Sequence, residues 1–377
     1  MSDMDQQTSG SNKRIVWIDL LRCIAILCVV LCHATEAVYD FDLESMTPIR
    51  PAVVLAFTLF TIGRTGVPIF LMVTGYLLLD RPYDEGGAVR FWKRNLLGLL
   101  LTVEIWIVIY DLFLAWYHGY EANPVGILAD MLFLQKVDMS HFWYMPMILG
   151  MYLFIPFVAA ALQHFDTKTI MIPLAIASCF LFGVPLANVV LETLKVGTLS
   201  EQLSLDFSGG VYGILIVVGY LFKKDAFKDV KKGWYAAALV GGLLGTLALE
   251  LWATGNGNLY TVWYDNPLIC LASWGIFGLV QGADEVPLPD AVQHLGTCSF
   301  GIYLAHKPIM MVLNRWLEIA RRPMKVFALF LFSLGISWAA VELVSLVPEA
   351  GRVLFFMKGP ERTRGSSEED AESGTAG

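Results

Sequence analysis

Residues 15–39 read IVWIDLLRCIAILCVVLCHATEAVY. The stretch is long enough to cross a bilayer, which takes ~20 predominantly apolar residues. Yet it carries Asp19, Arg22, His33 and Glu36. A charge near the bilayer centre costs at least ~2.5–3.5 kcal/mol on insertion scales, so such residues normally face a protein interior and mark function. At ~100° and ~1.5 Å per residue, His33 lies close to three full turns above Arg22, on the same helix face and roughly 16 Å along the axis. Asp19 is one turn below Arg22, and Glu36 one turn above His33. One face of one helix therefore holds a polar ladder. The competing reading is an interfacial Asp19–Arg22 pair beside a histidine that only packs on a neighbouring helix.

The rest of the chain is equally apolar. Its 377 residues are 56% hydrophobic and 16% charged, with mean hydropathy +0.60, against ~45–50% and ~25% in soluble domains. The expected fold is all-α: a polytopic membrane helix bundle of about ten transmembrane helices and no soluble domain. The spans fall near 15–39, 52–79, 95–116, 143–162, 169–187, 209–222, 234–253, 263–280, 298–317 and 326–347. The second contains Gly63, Gly66 and Pro68 and reads as kinked or broken, which is tolerated where protein covers the freed backbone.

The N-terminal MSDMDQQTSGSN is polar and acidic, unlike the basic start of a cleavable signal, so the first helix reads as a retained span. Lys13 and Arg14, then Arg81, Arg90, Lys93 and Arg94, then Lys223 to Lys232, then Arg352 to Arg364 fall on one side of a ten-span chain. By the positive-inside rule that side is the cytoplasm, both termini included. Arg321, Arg322 and Lys325 fall on the other side, so the last two spans fit the rule least. The expected layout is a disordered cytoplasmic tail at 1–13, a membrane domain at 14–349 and a second such tail at 350–377. Net charge is −8, much of it in tails and loops, and implies no nucleic-acid partner. The six cysteines form no C-x-x-C pair and read as core filler, with no structural metal and no disulfide framework expected.

Other polar groups interrupt apolar sequence. Arg64 sits in the broken second span. Glu104 looks close to mid-membrane and needs a partner such as Arg22, Arg64 or His33. Asp111, seven residues on, is nearer the end and reads as interfacial. His141 lies beside the expected outer surface, within an aromatic run that would anchor a helix at the boundary. Ser299, Tyr303 and His306 stand at i, i+4 and i+7, in line on one helix face.

These patches together resemble the acyltransferase-3 family of membrane acyltransferases. The family's first helix has D-x-L-R, ten residues and a histidine, matched by Asp19-Leu20-Leu21-Arg22 and His33. Val67-Pro68-Ile69-Phe70 with Thr74-Gly75-Tyr76 is similar to its second-helix pattern. His141 to Met145 with Tyr152 and Pro156, and Ser299 to His306, are similar to two later ones. The family's Arg-x-x-Arg in the loop before the third helix is met only as Arg90 and Lys93. Lysine holds phosphate as a point charge without the guanidinium fork.

The resemblance implies transfer of an acyl group, acetyl in the expected case, from cytoplasmic acyl-CoA to a hydroxyl of a cell-envelope carbohydrate or glycolipid. Acyl-CoA is then a co-substrate rather than a tightly bound cofactor, and the protein sits in the cytoplasmic (inner) membrane against its lipid. Such chemistry needs a base for the hydroxyl and positive charge near the oxyanion. His33, with an ordinary pKa of ~6.5, is the expected base, or else the carrier of an acyl-imidazole. Glu36 or Glu104 would orient its ring. Arg22 would meet the CoA phosphates or the thioester oxygen, and Arg90, Lys93 and Arg94 the nucleotide. Asp19, Arg64, His141, Ser299, Tyr303 and His306 would line the acceptor path. The alternative is a multi-span transporter, since intramembrane charges and broken helices also mark substrate paths. No repeat between the halves of the chain supports it.

Overall fold

The computed structural model describes residues 15–135, 137–199 and 210–357. The tail expected at 1–13 and the part of the second tail from 358 onward lie outside the described residues. Within lipid every backbone polar group must be satisfied inside the chain, and long helices do this. Helix α1 (Val16–Glu36) is followed by a four-residue turn of helix, α2 (Leu43–Met46), whose Asp42 cap accepts from the Ser45 N–H at 2.8 Å. The second span is broken as expected, into α3 (Pro51–Arg64) and α4 (Gly66–Leu78). Pro68 has no N–H to return to the Arg64 carbonyl, and the Thr65 hydroxyl bonds the Ile62 carbonyl at 2.8 Å at the break.

Next come α5 (Glu85–Phe91), a π-helical turn at Trp92–Leu96, and α6 (Leu97–His118), followed by the short α7 (Pro124–Met131) and α8 (Tyr144–His164). The fifth expected span is two helices, α9 (Thr167–Leu181) and α10 (Gly183–Thr193). Pro185 removes an N–H there as Pro68 does in the second span. The remainder is α11 (Gly210–Lys223), α12 (Lys232–Gly255), α13 (Pro267–Val280), α14 (Pro289–Trp316), α15 (Arg322–Ser345) and α16 (Pro348–Phe355).

Several boundaries differ from expectation, three of them informatively. α13 starts at Pro267, because Asn266 caps it through the Leu268 N–H at 2.7 Å, so Trp263 and Tyr264 belong to a loop. α14 starts at Pro289, nine residues early. Residues 350–355, expected in a disordered tail, are helical and packed. Phe355 is buried, and the carbonyls of Val353 and Leu354 accept from Thr102 Oγ1 and Trp106 Nε1 at 2.8 and 2.7 Å.

α1 is the central helix, packed against α3, α4, α14 and α15. Small residues allow backbones to approach. Gly63 lies on Cys32, Gly66 on the Ala25 carbonyl, and Gly296 on Asp19. α4 and α11 cross at Gly75 and Gly219, and α12 and α13 at Gly242 and Gly275. Contacts define two ends of the bundle. Trp17 on α1 meets Tyr76 on α4 and Phe277 on α13, Lys224 after α11 pairs with Asp80 at 2.8 Å, and Lys232 Nζ bonds three carbonyls closing α13. At the other end Asn314 of α14 bonds the Ala37 carbonyl at 3.1 Å. Among the described residues, seven helices or joined pairs are long and apolar enough to cross a membrane: α1, α3–α4, α5–α6, α8, α9–α10, α12 and α15. α11 and α13 are apolar but shorter, and α14 carries more polar residues. The chain is a helical membrane protein.

Candidate active site

At the Trp17 end, Asp19 is buried and its carboxylate holds the Arg22 guanidinium at 3.1 Å. Arg22 keeps a third of its side chain exposed and lies within electrostatic range of Tyr152 on α8. The Tyr152 ring meets Phe91, one residue after Arg90, with centroids 5.7 Å apart. Trp92 Nε1 bonds the Leu153 carbonyl at 3.1 Å. Arg90, Lys93 and Arg94, on α5 and the π-helical turn, therefore stand at the same end as Arg22. Arg90 is exposed and only loosely paired with Asp84, at 3.8 Å.

Three turns further along α1, His33 Nδ1 meets Glu36 Oε2 at 2.6 Å. An ionised carboxylate only accepts, so Nδ1 carries the proton and Nε2 the lone pair. The other carboxylate oxygen, Oε1, accepts from Arg64 Nη2 at 3.2 Å. Arg64 Nη1 donates to the Tyr264 hydroxyl at 3.2 Å, its guanidinium carbon lies 4.5 Å from the ring centroids of Phe60 and of Trp263, and Nε has no partner among the described residues. The polar ladder of α1 and Arg64 at the α3–α4 break thus meet at Glu36.

Two more histidines join His33. Its ring centroid is 5.4 Å from that of His306, stacked, and 6.0 Å from that of His141, edge on; the last two are 5.1 Å apart. Hydrogen bonds fix which nitrogen is bare on each. His306 Nδ1 donates to the Tyr303 carbonyl at 2.6 Å, and its Nε2 has no partner. The Tyr110 hydroxyl proton goes to the Leu304 carbonyl at 2.8 Å, so Tyr110 accepts from His141 Nε2 at 3.2 Å, leaving His141 Nδ1 bare. Tyr303 donates to the His141 carbonyl at 2.7 Å, and Ser299 to the Gly296 carbonyl at 2.9 Å. Three imidazoles, with ring centroids within 6.0 Å of one another, thus each keep one ring nitrogen outside any hydrogen bond among the described residues.

Of the residues singled out in sequence, the structure gathers His33, Glu36, Arg64, His141, Tyr303 and His306 here. Ser299 sits two turns below His306 on α14, and Asp19 with Arg22 at the far end of α1. Glu104 is not brought in. The buried face of α6 is Leu99, Val103, Trp106, Ile107, Tyr110 and Leu114, and Glu104 points off it, with none of the partners expected for it. Sequence reasoning missed Glu250 and Lys307. Glu250 is fully buried on α12, and its two oxygens accept from the Thr61 hydroxyl at 2.6 Å and the Val262 N–H at 2.9 Å. It ties the loop carrying Trp263 and Tyr264 down over Arg64. Its signal was available, as the one acid in LALELWATG. Cys32, His33 and Glu36 offer donor atoms within 4.8 Å of one another, but Arg64 already occupies Glu36, and its charge opposes a cation there.

The family model for the acyltransferase domain of acyltransferase-3 matches residues 15–342. The chain belongs to this family. Neither a curated relative nor a solved structure matches it. The protein is a membrane acyltransferase, an enzyme that transfers acyl groups. The first and last family patches, on α1 and α14, meet in its histidine cluster, because those two helices pack along much of their length.

Proposed function

We propose that this acyltransferase moves an acyl group, acetyl in the expected case, from cytoplasmic acyl-CoA to a hydroxyl of a cell-envelope carbohydrate or glycolipid. All ten apolar segments are read as crossings of the cytoplasmic membrane, with both termini and the Trp17 end inside. What supports this most is one relay, in which Glu36 holds His33 through one oxygen and Arg64 through the other. A carboxylate that orients an imidazole by its Nδ1–H is the arrangement that makes Nε2 a general base.

In this reading the nucleotide of acyl-CoA lies at Arg90, Lys93 and Arg94, with Arg22 at its phosphates, and the thioester reaches along α1. The acceptor comes from the opposite end. His33 Nε2 takes the hydroxyl proton as the oxygen attacks the thioester carbonyl carbon. Arg64 supplies positive charge beside the oxyanion, and its Nε–H is a free donor. The intermediate then collapses, the C–S bond breaks, and the proton on His33 goes to the departing CoA sulfur. Purified protein given radiolabelled acetyl-CoA and envelope extract should label a glycan or glycolipid fraction. Acetyl-CoA that is neither consumed nor transferred, with the protein folded, would favour the transporter reading.

A further inference from the structure

We infer that the acceptor carries a carboxylate, seated on Lys307 in a cavity beside the histidine cluster; this rests on the reading of the protein as a glycan acyltransferase. The cavity, of about 350 Å³, lies at the Glu36 end between α1, α6 and α14. Lys307 follows His306 on α14, lines the cavity, and makes no hydrogen bond or ion pair among the described residues. Glu36, the acid within electrostatic range of it, has one oxygen on His33 and the other on Arg64. A half-buried ammonium without a counter-charge is costly unless something pairs it. Hence Lys307 lines the space where a second substrate would enter with no carboxylate of the described residues in ion-pair range.

The other walls describe the rest of the ligand. Asn314 spends its Nδ2 on the Ala37 carbonyl, and its buried Oδ1 has no partner. A bare amide oxygen calls for a donor, such as a sugar hydroxyl. Asp138 stands at the exposed rim, while Met310 and Met311 give an apolar side. One lysine, opposed at the rim by an aspartate, suits a single negative charge better than a doubly charged phosphate. A sugar acid with free hydroxyls meets all three demands. Because the ring of His306, the preceding residue, stacks on His33, a carboxylate on Lys307 would fix a neighbouring sugar's hydroxyl near Nε2 of His33.

The test measures binding without acyl-CoA, so it can fail while acyl transfer stands. Protein in lipid nanodiscs is titrated with trigalacturonate and with its carboxyl-reduced form, galactotriose. Wild type should bind the acid at least about tenfold tighter. Lys307→Met should erase that preference and leave galactotriose binding alone, and Lys307→Arg should keep most of it. Equal affinity for the two sugars in wild type, or an acid preference that survives Lys307→Met, would overturn the inference. So would galactose 6-phosphate binding more tightly than galacturonate, which would point to a phosphate instead. Labelling of a glycan that then fails would count against the acyltransfer reading, not this one.

Discussion

Glu36 is the residue on which the site turns, because one of its carboxylate oxygens bonds His33 and the other Arg64. Glu36→Gln keeps the shape but removes the charge. A glutamine that turns its NH₂ to His33 Nδ1 forces the imidazole proton onto Nε2, where the base must be bare. Turnover should fall by about 10²–10⁴, with the KM for acyl-CoA little changed; a full rate in steady-state assays would mean that Glu36 only balances Arg64. Arg22→Lys separates anchoring from chemistry in the same way. Lysine keeps the pair with Asp19 but loses the planar fork. The variant should reach the membrane at normal level and transfer at least about tenfold more slowly, roughly 1.4 kcal/mol in the barrier. Undiminished transfer would leave Arg22 as a helix-anchoring charge. At this scale the sequence was readable within one helix, where spacing places Asp19, Arg22, His33 and Glu36 on one side. The bond from Glu36 to Arg64, and the turning of Glu104 away from the site, depend on how separate helices are rotated, and a single sequence carries no signal for that.

Among the elements, the closest crossing is α4 on α11. A Cβ at Gly219 would collide with the Met72 carbonyl, and one at Gly75 with the Ile216 carbonyl. Backbone cannot yield as a side-chain tip can. Gly219→Val should therefore lower the yield of folded protein and its thermal midpoint in detergent, whereas Gly241→Val, where a Cβ meets nothing within 4 Å, should be tolerated. Equal midpoints for the two would show that α11 packs more loosely than these contacts require. The break between α3 and α4 was legible, since Pro68 removes one particular N–H. The start of α13 was not. Apolar Trp263 and Tyr264 read as membrane sequence, and only Asn266 with Pro267 marks the helix start. α16 was overlooked because eight residues after a span look like tail until Phe355 finds its pocket.

At the scale of the whole molecule, α1 joins two chemically different ends. Arg22 and the basic segment stand at one, and the histidine cluster, Lys307 and the cavity it lines at the other. If the first end holds the donor, removing the charges of Arg90, Lys93 and Arg94 together should weaken acyl-CoA binding more at low salt than at high salt, because exposed contacts are screened within ~8–10 Å at ordinary ionic strength. Titrations at two salt concentrations would show this, and unchanged affinity at low salt would leave the three as topology signals. The central claim is that His33, between the ends, takes the proton of the acceptor hydroxyl. The direct measurement is acyl transfer by purified His33→Ala beside its acyl-CoA affinity, together with the pH profile of the wild type. The variant should bind acyl-CoA as before and transfer nothing, and the wild-type rate should fall as pH drops through the titration of the imidazole, since only the neutral ring accepts a proton. A His33→Ala protein that transfers at the wild-type rate would contradict both the general base and the acyl-imidazole.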